Sequence, residues 1–159
     1  MGAGMQSTIK AGFSFGCMFC LLAACSQPIG PIAGGALDGE KAPWPDDWAF
    51  SFEVENVLLE TNPNDPYSVT LWGVHVGRYM YVIAVDSDSR WAKNMAADSR
   101  VVLGLSGKLY NARAEVVSSE ATTELAEILR AYVAKYDIDP EEGSEFVESG
   151  AILYRLAPP

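Results

Sequence analysis

The side chains able to do chemistry are few and unevenly placed. His75 is the single histidine in 159 residues. A hydrolytic triad would need it beside a serine and an orienting carboxylate. A metal site would need further ligands at a recognisable spacing, and none is offered. Its place near a hairpin end leads us to expect it exposed, with catalytic or haem-ligating service as the alternative. Asp86-Ser87-Asp88 begins like a calcium loop. The sixth position is then Trp91 rather than glycine, and Ala97 stands where the closing glutamate belongs. Gly12-Phe13-Ser14-Phe15-Gly16 has the form of a nucleophile elbow, and Cys17-Met18-Phe19-Cys20 that of a redox pair. Each needs a folded context that an apolar leader does not supply. Residues 137–148 carry six carboxylates and no base, which reads as a solvated acidic linker. There remain Ser87, Ser89, Arg90 and Lys93, two hydroxyls and two cations close together in a chain of net charge −10.

That charge, with a pI near 4.4, argues against nucleic acid as a partner, because phosphate binding needs clustered Lys and Arg. The length fits one ordinary domain. A mean hydropathy of +0.07 is high for so charged a chain. The excess sits at the start, where sixteen of the first 25 residues are hydrophobic. Lys10 is the only charged side chain before Asp38, and it precedes the apolar or small run Ala11 to Ala24. A charged segment followed by such a run has the form of an export signal. As a helix the run would be about 21 Å long, short of the ~30 Å hydrocarbon core.

The run ends Leu22-Ala23-Ala24-Cys25. This resembles a bacterial lipobox: a branched apolar residue, two small ones, then the cysteine that becomes the mature N-terminus. The resemblance implies that residues 1–24 are a lipoprotein signal peptide, with Met1 or Met5 as the start. Cys25 would carry thioether-linked diacylglycerol and then a further acyl chain. The protein would thus be lipid-anchored to a membrane of the bacterial cell envelope. An ordinary signal with a chance cysteine is the alternative. Cys17 and Cys20 would leave with the signal, so the mature domain would have no free thiol and no disulfide.

Residues 25–43 are rich in glycine and proline, a composition that suits a flexible tether. The domain is expected over 44–159. Phe50, Phe52 and Val54 alternate with polar residues and predict a strand. Asn62-Pro63-Asn64-Asp65-Pro66 predicts a turn. Strands are expected at 67–75 and 78–85, with a tight turn at Val76-Gly77. A short helix is expected at 90–97. Residues 100–105 and 108–117 should form a hairpin through Ser106-Gly107. Leu125, Ile128, Leu129, Tyr132, Val133 and Tyr136 recur at helical spacing, with Ser118 or Ser119 as cap and Pro140 as the latest end. AILYRL, 151–156, closes the set. The fold class expected is mainly β with α additions: a small antiparallel β-barrel of about six strands plus one short and one longer helix.

The order of elements, the segment Asp86-Ser87-Asp88-Ser89-Arg90-Trp91-Ala92-Lys93-Asn94, the turn Ala97-Asp98-Ser99-Arg100-Val101 and the strand Ala112-Arg113-Ala114-Glu115-Val116 carry a likeness. Together they resemble the pyridoxamine 5′-phosphate oxidase-like split-barrel superfamily, which binds flavins and deazaflavins. The resemblance implies FMN or a deazaflavin as cofactor. Its phosphate would lie near the end of strand 78–85, held by Ser87, Ser89, Arg90 and Lys93. Trp91 or Trp72 would flank the ring. Arg113 would be either an inward cofactor ligand or an outward, solvated charge. The reaction would be hydride or electron transfer to a small-molecule substrate. Two barrels would pair as a homodimer around each site. The other reading is a non-enzymatic lipoprotein of the same fold that binds a small ligand or an envelope partner.

Overall fold

The structure is a computed structural model that describes residues 27–141, 145 and 149–159. The leader, Cys25 and most of the acidic stretch after Glu141 lie outside the described residues.

A two-residue strand β1 (Glu40–Lys41) precedes a 3-10 helix, Ala49–Glu53. Then follow β2 (Val57–Thr61), β3 (Tyr67–Leu71), β4 (Gly73–Val76), β5 (Tyr79–Ala84), α1 (Arg90–Ala97), β6 (Arg100–Leu105), β7 (Lys108–Val116), α2 (Thr122–Tyr136) and β8 (Ile152–Ala157). The strands hydrogen-bond in the order β3-β2-β6-β7-β8-β5-β4, every neighbour antiparallel, with β1 added parallel to β7. This is a split barrel. Residues 67–76 run as one strand that changes partner at Trp72: β3 pairs with β2 and β4 pairs with β5. Gly73 is the corner. A Cβ there would stand 2.9 Å from Val57 Cγ2, inside the fully buried core. Gly73→Ala is therefore expected to destabilise the fold by about 1–3 kcal/mol in urea unfolding. A loss below ~0.5 kcal/mol would show that the corner gives way freely.

Alternation along each strand fills two cores. Val57, Leu59, Met80, Val82, Leu103, Tyr110, Ala112 and Leu156 point into the barrel, joined by Trp91 and Met95 of α1. The opposite face of β4, β5 and β8 presents Val74, Tyr81 and Leu153 to Ile128 and Tyr132 of α2. Each helix thus buries the apolar stripe its spacing announces. Asp137, left-handed at φ 52°, ends α2. The Ser118 hydroxyl accepts the Glu120 N–H in the preceding turn, and Ala121 stands at the cap position instead.

Three expectations are corrected. Residues 49–53 form a 3-10 helix, not a strand. The Asp47 carboxylate accepts the Ala49 N–H at 2.8 Å and starts the turn, while Trp48 plugs the barrel end and leaves Phe50 and Phe52 exposed. The early strand is instead β2, whose residues alternate buried and half-buried. The tight turn shifts by one residue, to Gly77-Arg78. The Gly/Pro-rich segment also lies against the barrel from Gly34 onward. Gly34 exchanges two 2.9 Å backbone hydrogen bonds with Ser68, and Leu37 is buried.

Candidate functional site

The end of β5, the turn 86–89 and the start of α1 form one corner. Its shape is local in origin. The Asp86 carboxylate accepts the Asp88 N–H at 2.8 Å, and the Asp86 carbonyl accepts the Ser89 N–H at 3.2 Å. The chain therefore tightens directly into α1, whose apolar residues Trp91, Ala92 and Met95 hold it on the core. Asn94 donates to Thr61 Oγ1 at 3.0 Å, locking α1 to β2.

Ser89 sits at the N-cap position yet makes no capping bond. Its hydroxyl is buried and has no hydrogen-bond partner among the described residues. The first-turn amides of α1 thus lack a capping side chain. Arg90 and Lys93 flank this point. The Arg90 guanidinium reaches Asp65 at 3.3 Å and covers the Tyr67 ring at 4.4 Å. Lys93 Nζ meets Asp88 at 3.0 Å. Both pairs are exposed and held weakly. The corner therefore has two cations, answered by Asp65 and Asp88. Ser87 is exposed beside them.

Two expected contributors stand elsewhere. Trp91 is 8% exposed and packs against Tyr154 within the barrel, so it has no ring face to offer. Trp72 is 46% exposed, but Tyr136 stacks on it at 4.5 Å. Arg113 points outward, in line with the second of its two readings. Its guanidinium approaches Ser99 Oγ at 3.4 Å. It lies directly across from Arg100 on β6, where like charges repel. Asp98 binds the Arg100 guanidinium, whose hydrogen bonds hold the Asp98 carboxyl down at about 2. The two arginines edge a groove of about 310 Å³ with Glu60, Thr61, Pro63 and Val102. Groove and corner share the β2–β3 turn: Pro63 lines the one, and Asp65 pairs with Arg90 in the other.

Sequence reasoning missed Ser51. It is fully buried, and its hydroxyl lies 3.0 Å from His75 Nδ1. Nothing local links residues 24 positions apart when 50–54 is read as a strand. His75 is half-buried rather than exposed. Burial pushes its imidazole below the ordinary 6.5, Lys135 adds to this, and Asp47 opposes it. The unfolded chain therefore takes up the proton first as pH falls, so this contribution is complete above about pH 6.5 and is lost as pH drops through the lowered folded value. Wild-type protein is expected to lose more stability between pH 7 and pH 5.5 than His75→Gln does. Equal losses in paired urea titrations would remove His75 from the account. The buried Ser51 hydroxyl is out of a substrate's reach, so the pair is no hydrolytic dyad.

Among the described residues no group of three or more His, Cys, Asp or Glu is placed to hold a metal ion. No helix among them is long and apolar enough to cross a membrane.

No family model matches the chain, and no curated protein matches it. Solved structures do. A conserved hypothetical protein from Mycobacterium tuberculosis aligns with a TM-score of 0.53 at 18% identity, covering 69% of this chain and 76% of that one. A protein of unknown function from Agrobacterium tumefaciens aligns with a TM-score of 0.51 at 23% identity, over 65% of this chain. The match spans only 48% of the Agrobacterium protein. A FAD-binding protein from Mesorhizobium loti aligns with a TM-score of 0.49 at 13% identity, covering 68% of this chain and 83% of that one. The first two likenesses show that this fold is shared with solved proteins.

Proposed function

We propose that this chain is a membrane-tethered, oxidoreductase-like split barrel that binds a flavin-type cofactor, FMN or a deazaflavin, by its phosphate at the α1 corner. The observation that carries the reading is the Ser89 hydroxyl, buried without a partner at the uncapped start of α1. A phosphate oxygen there would satisfy it, together with the free first-turn amides. Arg90 and Lys93 would exchange their exposed carboxylate partners for the phosphate, and Ser87 would add a hydroxyl. The bound flavin would supply hydride or electron transfer. Arg113 faces the neighbouring groove, so in this reading it contributes across a pair of barrels.

A specific observation favours the non-enzymatic alternative. Each of the two cations of the corner already has a carboxylate partner, Asp65 for Arg90 and Asp88 for Lys93. A barrel of this kind would keep the fold and bind a small ligand or an envelope partner without redox chemistry. Titration of the full chain in detergent separates the two. FMN or a deazaflavin should show saturable fluorescence change, weakened about 10-fold or more in Ser89→Ala. Absence of binding to both would leave the alternative standing.

A further inference from the structure

The first described residues form a feature that the cofactor reading does not use. Ile29 and Ile32 face each other across Gly30-Pro31, exchanging two 3.0 Å backbone hydrogen bonds, with Gly30 at φ 54°. Both isoleucines are turned out to solvent, at 64% and 68% exposure. A closed turn that displays two large aliphatic side chains runs against the usual polar chemistry of turns. It is also fixed in place. Gly34 is bonded on both sides to Ser68 of β3, Leu37 is buried, and the Glu60 carboxylate accepts the Leu37 N–H at 2.6 Å.

Two facts say what covers this turn. No charged side chain lies between Lys10 and Asp38, so the stretch that bears the turn has no charge of its own to desolvate. Cys25 precedes Ile29 by four residues, a span of about 14 Å at full extension. If the cysteine carries acyl chains in a bilayer, the turn cannot be far from the bilayer surface.

We infer that the Ile29–Ile32 turn is a membrane-docking wedge, inserted into the lipid interface beside the acylated Cys25. The inference rests on the lipid-anchor reading above. The wedge turns a one-point tether into a two-point seat and so fixes the barrel's orientation. Gly35 lies beside the Pro66 carbonyl, and Asp65 of the same β2–β3 turn holds Arg90. The seat therefore draws the α1 corner toward the bilayer, while α2 packs on the outer face of β4, β5 and β8. A substrate taken at that corner would be one available at the lipid surface.

The test uses the full chain, exported by a bacterial host and purified from membranes. Mass measurement of the N-terminal peptide decides whether Cys25 is acylated. An acylated Cys25 leaves no other thiol in the mature chain, so Pro31→Cys, Asn64→Cys and Glu127→Cys can each carry one polarity-sensitive fluorophore. In vesicles of phosphatidylethanolamine and phosphatidylglycerol, the label at position 31 should be quenched by aqueous dithionite about 10-fold more slowly than the label at 127. The label at 64 should be quenched by headgroup nitroxides more than the label at 127. Adding Ile29→Asp and Ile32→Asp should abolish the protection at 31 while Cys25 stays acylated. An unmodified Cys25 overturns the anchor and the wedge with it. Acylated protein whose label at 31 is quenched as fast as that at 127 overturns the wedge alone. Protection at 31 without vesicles would mean that a second copy covers the turn, and would overturn it too.

Discussion

Trp48→Ala is expected to lower the unfolding free energy by about 3–5 kcal/mol, the largest single-residue loss in the described core. The indole is fully buried at one end of the barrel. It packs edge-on against Trp44 at 4.8 Å and Tyr110 at 5.0 Å, and stacks with Phe50 at 5.7 Å. Its ring N–H donates to the Arg78 carbonyl at 3.2 Å, beside the 2.9 Å bond from Trp44. Alanine would leave a cavity at the centre of this cluster and take one donor from the β4–β5 turn. Trp48→Phe should lose less, since a ring still fills most of the space. Urea unfolding followed by far-UV circular dichroism measures both. A loss under ~1 kcal/mol for the alanine variant would mean that Trp48 does not plug the barrel.

The same residue shows where sequence reasoning reaches and where it stops. The α1 and α2 stripes, the Ser106-Gly107 hairpin and the strands at 78–85 and 100–105 were all legible, because each has one buried face and a period that only one element satisfies. Phe50, Phe52 and Val54 satisfied a period of two by accident. Phe50 and Phe52 are exposed, and it is the neighbouring Trp48 that enters the core; its packing on Tyr110 and its bond to Arg78 are long-range and not written in the local pattern. β2 was hidden for the opposite reason. Leu58 follows Val57 and precedes Leu59, so the alternation that places Val57, Leu59 and Thr61 inside is blurred. The Gly/Pro-rich segment misled through composition. Its glycines also permit close approach: a Cβ at Gly39 would stand 2.8 Å from the Gly107 carbonyl. At the site, adjacency in sequence found Ser87, Ser89, Arg90 and Lys93 together. It did not reveal Asp65, which comes from another turn, or that Trp91 is turned inward by the helical stripe it shares with Met95.

Arg90→Glu carries the second large effect, on binding rather than stability. The change replaces one of two cations at the corner with a carboxylate beside Asp65. A phosphate at Ser89 would lose a charge-assisted hydrogen bond and gain a repulsion. FMN affinity is expected to fall by about 10–100-fold or more. The Arg90–Asp65 pair is exposed on both sides, so the fold itself should hardly notice. Fluorescence titration beside urea unfolding separates the two. Unchanged affinity with intact folding would place the cofactor away from α1. Lost affinity with lost stability would make Arg90 a structural residue instead.

The phosphate is the centre of the account, and one comparison isolates it. FMN and riboflavin share the ring and differ by the phosphate alone. Fluorescence titration of the wild-type chain should give FMN at least about 10-fold tighter than riboflavin, and Arg90→Glu should erase the difference. Equal affinities for the two ligands in the wild-type chain, or a preference that survives Arg90→Glu, would contradict the assignment of the α1 corner as the phosphate site.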